Sequence, residues 1–114
     1  MHLKVWMAAA LAAVCTGAVA QDWPYYGGDQ ANKKYSPLDQ INKANVSQLK
    51  VVWEWASPDD ALAAENRALT PFINEETPIV VNGVMYVTTS MASAAAIDPV
   101  SGETLWNFDS ESYK

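Results

Sequence analysis

Apolar and polar residues alternate along several short segments of the chain, beginning at residue 49. In residues 49–55, Val51, Trp53 and Trp55 alternate with less apolar neighbours, which predicts a strand with one strongly apolar face. Four more apolar segments follow, at residues 78–81, 84–89, 94–97 and 103–108. Turn formers separate them, at residues 82–83, 90–93 and 98–102. The pattern predicts an all-β fold with a four-stranded antiparallel meander.

A four-residue pattern occurs twice. Residues 52–55 and 105–108 both run apolar, Trp, polar, aromatic, and Trp53 and Trp106 lie 53 residues apart. Propeller blades recur every ~40 to 50 residues, and over longer intervals where loops are inserted. We therefore interpret the meander as the first blade of a β-propeller, and residues 49–55 as the strand that completes its last blade and closes the ring. Because repeat folds need at least about three units, we expect a longer chain than these 114 residues.

Two stretches outside the meander are rich in turn formers. Residues 21–48 combine Gly, Asn and Pro with Trp23 and three tyrosines, which indicates a loop-rich lead-in held by aromatic side chains. A short helical turn is predicted within residues 39–49. Residues 57–74 are interpreted as a long surface loop that could hold a helical turn at residues 60–67, with Asp59 and Asp60 as a solvated pair.

The first twenty residues have the pattern of a secretory signal peptide. Lys4 gives a positive start, residues 5–14 are continuously apolar, and residues 18–20 are the small Ala-Val-Ala of a cleavage site. The apolar run is shorter than the about 20 residues that span a bilayer, although an uncleaved anchor or a buried helix would also fit it. Cys15, the only cysteine, would leave with residues 1–20. Export predicts a periplasmic or extracellular protein.

Composition and charge exclude some function classes. Half of the residues are apolar and 11% are aromatic, which is typical of a globular chain. The net charge is -6, and all thirteen acids lie after Ala20. Because a nucleic-acid interface needs clustered Lys and Arg, we exclude that class of partner. The single histidine, His2, lies in the predicted signal peptide, so the mature chain would have no imidazole for acid–base or metal chemistry.

The third and fourth predicted strands carry one spaced pattern across their turn. Its residues are Ala96, Asp98, Gly102 and Trp106, with one, three and three residues between them. This pattern resembles the tryptophan-docking motif of pyrroloquinoline-quinone (PQQ) dependent dehydrogenases. Where that family has Thr directly before the glycine and Glu two residues before the tryptophan, this chain has Ser101 and Thr104. The motif is structural: side chains close the turn, glycine takes the strained backbone, and the tryptophan packs between blades.

Two further stretches resemble the same family. Trp-Pro-Tyr-Tyr-Gly-Gly-Asp at residues 23–29, followed by Tyr-Ser-Pro at residues 35–37, is similar to its mature N-terminus. Residues 74–86 are similar to its first-blade segment, in which a glutamate stands three residues before a proline. That glutamate is Glu75, and the resemblance implies that it hydrogen-bonds PQQ. Glu76 occupies a position where the family tolerates small residues.

The resemblance implies a fold, a reaction and a set of cofactors. The fold would be an eight-bladed β-propeller that begins within residues 49–114. The full-length protein would bind PQQ and calcium, oxidise an alcohol or an aldose sugar, and pass electrons to a quinone or a cytochrome c. The residue patterns at 74–78 and 109–113 resemble the membrane-bound glucose dehydrogenase branch more than the other branches. This resemblance implies that the full-length protein could associate with a membrane. The base and most calcium ligands are expected after residue 114, so no catalytic or metal residue is assigned, and residues 1–114 alone are predicted to be inactive.

Two other function classes fit parts of the sequence. A non-enzymatic β-propeller scaffold of the cell envelope would have similar repeats. Its function would not require the aromatic stretch at residues 23–29 or the glutamate at position 75. An independent small β-domain could bind a partner through an open strand edge. Against that alternative, its tryptophan-rich edges would remain exposed.

Overall fold

A computed structural model describes residues 21–71 and 74–114, so the predicted signal peptide lies outside the described residues. Four strands form one antiparallel sheet in chain order, which confirms the all-β meander. They are β1 (Ile79–Val81), β2 (Val84–Thr88), β3 (Ala94–Ile97) and β4 (Thr104–Phe108). No described helix is both long and apolar enough to cross a membrane.

The sheet has two ends, which differ in the turns that they carry. At one end, β1 begins, β4 finishes, and the turn of residues 89–93 joins β2 to β3; we call it the Thr89 end. At the opposite end, which we call the Gly102 end, residues 82–83 join β1 to β2 and residues 98–103 join β3 to β4. Asn82 and Gly83 have φ of 51° and 74°, the left-handed geometry of a two-residue hairpin that Asn-Gly favours.

Two short helices precede the sheet. Residues 46–48 form a single 3-10 turn, within the stretch where a helical turn was predicted. Helix α1 (Pro58–Glu65) begins two residues earlier than the predicted turn. It begins there because Ser57 accepts a hydrogen bond from the Asp59 backbone N–H, Pro58 fills the first helical position, and both acids lie in the first turn.

Residues 49–55 pair as a strand with no other described segment, so the ring-closing strand stays a prediction whose expected partner is the last blade of the propeller. No ladder hydrogen bond pairs them with another segment among the described residues, and Val51 and Val52 are 77% and 84% exposed. The alternation nevertheless identifies the packed side chains, because Trp53 and Trp55 are half-buried against the sheet while Glu54 is exposed. A strand needs a neighbour for its backbone groups, and alternation by itself does not supply one.

The lead-in is attached to the sheet by backbone and side-chain bonds. Trp23 pairs with Val80 of β1 through two backbone hydrogen bonds, of 2.8 and 3.0 Å. The carboxylate of Asp22 accepts the backbone N–H groups of Asn82 at 2.9 Å and Gly83 at 3.1 Å. The beginning of the lead-in therefore lies along β1 and closes the first hairpin.

The buried core of the described residues is small. Its apolar members are Met91, Ala95, Ala96 and Ile97. By contrast, the outermost strand, β4, is exposed along its whole length, with Trp106 at 47% and Phe108 at 59%. An isolated domain of this size would need to bury more of its aromatic surface, so the geometry favours a blade with neighbours over a free-standing domain.

Candidate functional site

Glu75 lies in the segment that leads into β1 at the Thr89 end of the sheet. Its side chain is exposed. Both of its neighbours are bound to the last residue of β2: the Asn74 side chain donates to the Thr88 carbonyl at 3.4 Å, and the Glu76 carboxylate accepts the Thr88 backbone N–H. The chain is thus fixed on both sides of Glu75, while the Glu75 carboxylate faces solvent.

Glu76 has an environment that its position in the sequence does not predict. One carboxylate oxygen binds the Thr88 N–H, and the other is buried with no hydrogen-bond partner among the described residues. A buried acceptor without a partner costs about 1–3 kcal/mol. The two adjacent acids therefore differ: Glu76 anchors the segment, and Glu75 is the one available to a ligand.

Asp59 is not the solvated residue that the sequence predicted. It is 2% exposed, and its carboxylate accepts three hydrogen bonds from the turn between β2 and β3. The donors are the hydroxyls of Thr89 at 2.7 Å and Ser90 at 2.9 Å and the backbone N–H of Met91 at 3.0 Å. The solvated-pair prediction holds only for Asp60, which is exposed.

Local sequence could have located the start of α1 but not the burial of Asp59. Ser-Pro-Asp-Asp at residues 57–60 has the cap, the proline and the first-turn acids of a helix N-terminus. The partners of Asp59 lie about thirty residues later in the chain, at Thr89, Ser90 and Met91. No local periodicity connects such distant positions, so only the folded chain identifies the contact.

A cavity of about 590 Å³ opens at the Thr89 end beside this turn. Its volume is within the range of small-molecule sites. Glu75 is not among the residues that line it, so the structure does not bring the predicted cofactor ligand into this cavity. The lining residues are Ala68–Thr70, Ser90–Ala92, Ser112 and Tyr113.

Tyr113 contributes one wall of the cavity and is held by Asp109. Its hydroxyl donates a 2.7 Å hydrogen bond to Oδ2 of Asp109. This bond to a carboxylate, with a smaller contribution from desolvation, raises the pKa of Tyr113 to about 12. The same bond is the main cause that lowers the pKa of Asp109.

The turn at the Gly102 end contains the middle of the predicted docking motif. Oδ1 of Asp98 accepts the backbone N–H groups of Val100 at 2.8 Å and Ser101 at 3.3 Å, and the Val100 bond is the main cause that lowers the pKa of Asp98. The Ser101 hydroxyl accepts the N–H of Glu103 at 3.2 Å. Gly102 has φ of 76°, a conformation that favours glycine.

The remaining motif residues pack on one face of the sheet. Ala96 is fully buried and pairs with Trp106 across β3 and β4. The Trp106 ring lies 6.2 Å from that of Tyr86, at a tilt of 49°. Because Trp106 is still 47% exposed, it presents aromatic surface away from this sheet.

Trp53, the first copy of the repeated tryptophan, packs on the turn of the motif. Its indole Nε1 donates to the carbonyl of Pro99 at 3.2 Å, and its ring lies against Gly102. Trp55 donates to the hydroxyl of Thr104 at 2.9 Å. The residue that departs from the family pattern therefore accepts a hydrogen bond from the segment of residues 49–55.

The described residues do not form a metal centre. Residues 21–71 and 74–114 bring together no group of three His, Cys, Asp or Glu side chains that could hold an ion. We therefore assign calcium no ligand among them. The exposed carboxylate of Glu75 can accept hydrogen bonds from a polar ligand such as PQQ.

Known proteins are similar to this chain in sequence and in fold. The dehydrogenase subunit of alcohol dehydrogenase (quinone) from Gluconobacter oxydans is 41% identical over 77% of this chain. Quinoprotein glucose dehydrogenase A from Acinetobacter calcoaceticus is 40% identical over 82% of it. These matches cover 10% and 11% of the two relatives, so the chain spans about a tenth of their length.

The solved structure of quinohemoprotein alcohol dehydrogenase from Comamonas testosteroni is similar to this fold. It superposes with a TM-score of 0.65 at 37% identity, over 81% of this chain and 12% of that chain. The family model described as "PQQ: Glucose/ethanol/alcohol dehydrogenase, beta-propeller domain" matches residues 23–114. The chain therefore belongs to the PQQ-dependent alcohol and glucose dehydrogenase β-propeller family.

Proposed function

We propose that this chain is the N-terminal part of a periplasmic PQQ-dependent dehydrogenase that oxidises an alcohol or an aldose sugar. The family match over residues 23–114, which includes the segment of Glu75, is the observation that carries the proposal. After cleavage of residues 1–20, the mature protein would begin with the lead-in of residues 21–48. The propeller would begin within residues 49–114. A quinone or a cytochrome c would accept the electrons.

Glu75 is the proposed cofactor ligand of this segment. Its carboxylate is exposed at the Thr89 end, whereas its neighbours Asn74 and Glu76 are bound to Thr88. PQQ, when bound, supplies an electron-accepting quinone. The contribution of Glu75 would be to accept hydrogen bonds from polar groups of the cofactor and so to orient it.

Other parts of the reaction are assigned outside this segment. The described residues offer no calcium site, so we propose that the calcium ligands and the catalytic base lie elsewhere in the full-length protein. The substrate branch is also a proposal. Relatives named as alcohol and glucose dehydrogenases match at 41% and 40% identity, so sequence identity does not separate the two branches. The proposal of the glucose branch rests on the residue patterns at 74–78 and 109–113.

The test is PQQ titration of the full-length apoprotein, followed by a dye-linked assay with a panel of alcohols and aldoses. We expect PQQ binding, and we expect Glu75→Gln to raise the Kd for PQQ about tenfold, the equivalent of one charge-assisted hydrogen bond. The matched control is Glu103→Gln, because Glu103 is an exposed glutamate at the opposite, Gly102 end of the blade.

The outcomes separate the competing functions. A full-length protein that binds PQQ and oxidises a member of the panel supports the dehydrogenase, and the preferred substrate identifies the branch. A folded full-length protein that binds no PQQ would contradict the proposal and favour the cell-envelope scaffold. Equal Kd values for Glu75→Gln, Glu103→Gln and the unmodified protein would contradict the role of Glu75 alone.

A further inference from the structure

We propose that Asp59 is a positioning residue for PQQ, which acts by fixing the chain on both sides of Glu75. This inference rests on the proposed role of Glu75 as a cofactor ligand. The Asp59 carboxylate is not hydrogen-bonded to the segment of Glu75 directly. It is connected to that segment through two consecutive residues: Thr88, the last residue of β2, and Thr89, the first residue of the turn.

The first step of the connection is a buried carboxylate with three donors. Asp59 is 2% exposed and accepts bonds from Thr89, Ser90 and Met91 at 2.7, 2.9 and 3.0 Å. The Thr89 hydroxyl, which donates to Asp59, also accepts the backbone N–H of Ser93 at 3.2 Å and so connects the carboxylate to the far end of the turn. Loss of the carboxylate would leave several buried donors without a partner.

The second step is the attachment of the Glu75 segment to Thr88. The backbone N–H of Thr88 donates to the Glu76 carboxylate, and the carbonyl of Thr88 accepts a bond from the Asn74 side chain, so both neighbours of Glu75 are bound to Thr88. Thr88 directly precedes Thr89, which Asp59 holds. A shift of the turn would therefore move the two anchors of Glu75 together, because all of these bonds meet at adjacent residues of one strand end.

The third step is that the turn, which its own backbone hydrogen bonds also close, contains a strained residue. Ala92 adopts φ of 60°, a left-handed conformation that is unfavourable for alanine, and this strain has to be stabilised by surrounding contacts. The bonds from Asp59 to Ser90 and Met91 lie immediately before it. Helix α1 thus restrains a strained turn at the same end of the blade as Glu75.

The experiment compares Asp59→Asn with Asp60→Asn in the full-length apoprotein. Both variants remove one acid from the first turn of α1, but Asp60 is exposed and holds no part of the turn. An asparagine at position 59 keeps the size of the side chain but replaces one acceptor oxygen with an N–H donor that faces other donors. We expect the Kd for PQQ to rise about tenfold in Asp59→Asn and to stay within about twofold in Asp60→Asn.

A second background tests whether Asp59 acts through Glu75. In Glu75→Gln, the added Asp59→Asn change should leave the Kd for PQQ within about twofold, because the group that Asp59 positions is already altered. An undiminished tenfold effect in this background would show that Asp59 does not act through Glu75 and would overturn the inference. An Asp59→Asn protein with a lower denaturation midpoint but unchanged Kd would overturn it as well, since Asp59 would then only stabilise the fold.

A milder variant covers the case in which Asp59→Asn does not fold. Ser90→Ala removes one of the three donors and leaves the bonds of Thr89 and Met91 in place. We expect the Kd for PQQ to rise about threefold, and an unchanged Kd would count against the inference. An unchanged Kd for PQQ in Glu75→Gln would contradict the proposed role of Glu75. A raised Kd in Glu75→Gln with unchanged Kd values in the Asp59 and Ser90 variants would contradict only the role of Asp59.

Discussion

The indole of Trp53 lies directly against the backbone of Gly102, 49 residues later in the chain. A methyl group built on Gly102 would lie 2.7 Å from Cδ2 of Trp53, closer than atoms can approach without displacement. The same indole donates its N–H to the carbonyl of Pro99 at 3.2 Å. The segment before the blade is therefore held to the blade by a tryptophan that requires a glycine beneath it.

Replacement of Gly102 by alanine tests this contact. We expect Gly102→Ala to lower the free energy of unfolding of the full-length protein by about 2–5 kcal/mol, because it adds both left-handed backbone strain and a clash with Trp53. The matched control is Gly83→Ala. Gly83 has a similar φ of 74° but open space around its Cβ position, so only the strain of about 1–2 kcal/mol is expected there. Equal losses in denaturant titrations would show that the indole does not constrain Gly102.

The hydrogen bond of the Trp53 indole can be removed while an aromatic ring is kept. Trp53→Phe should lower the free energy of unfolding by about 1–2 kcal/mol, because the carbonyl of Pro99 loses a partly buried donor. Trp55→Phe should cost less than about 1 kcal/mol, since its bond to Thr104 is exposed to solvent. Denaturant midpoints of the two variants provide the comparison, and a larger loss for Trp55→Phe would contradict the order predicted here.

The carboxylate of Asp22 should stabilise the first hairpin. It accepts two backbone N–H groups of the Asn82–Gly83 turn, so Asp22→Ala should lower the unfolding free energy by about 1 kcal/mol. Asp39→Ala removes an exposed aspartate from the same lead-in and serves as the control. Thermal melts of the two variants would refute the prediction if they shift by the same amount.

Tyr113 should show an unusual titration at high pH. Its pKa is raised to about 12 by the hydrogen bond to Asp109, above the ordinary value of about 10. Since the neutral phenol is favoured by folding, its contribution to stability is complete below about pH 10 and is lost as the pH rises through about 12. The difference in tyrosinate absorbance between the unmodified protein and Tyr113→Phe measures this pKa.

Asp109→Asn should move the pKa of Tyr113 back towards 10, because it removes the main cause of the increase. Glu111→Gln is the control: Glu111 acts on Tyr113 only through weaker charge repulsion, so its removal should change the pKa of Tyr113 much less. A Tyr113 that titrates near 10 in the unmodified protein would contradict the hydrogen bond between Tyr113 and Asp109.

Sequence predicted the parts of this fold that depend on local chemistry. Short apolar segments bounded by turn formers located all four strands within one residue, and Asn82-Gly83 identified the hairpin turn because both residues tolerate positive φ. What the sequence did not predict depends on distant partners. Asp59 was predicted to be solvated, although it is buried against residues 89–91. The ring-closing strand at residues 49–55 stays a prediction, because its expected partner is the last blade of the propeller.

The two backbone bonds between Trp23 and Val80 have a consequence for association of the protein. In a three-residue strand only the middle residue turns both backbone groups away from the paired neighbour, and in β1 that residue is Val80. Trp23 occupies both groups. β1 therefore offers no free donor or acceptor to a foreign strand, and the lead-in protects this edge against edge-to-edge aggregation. Without Trp23, the backbone N–H and carbonyl of Val80 would lose their partners at this edge.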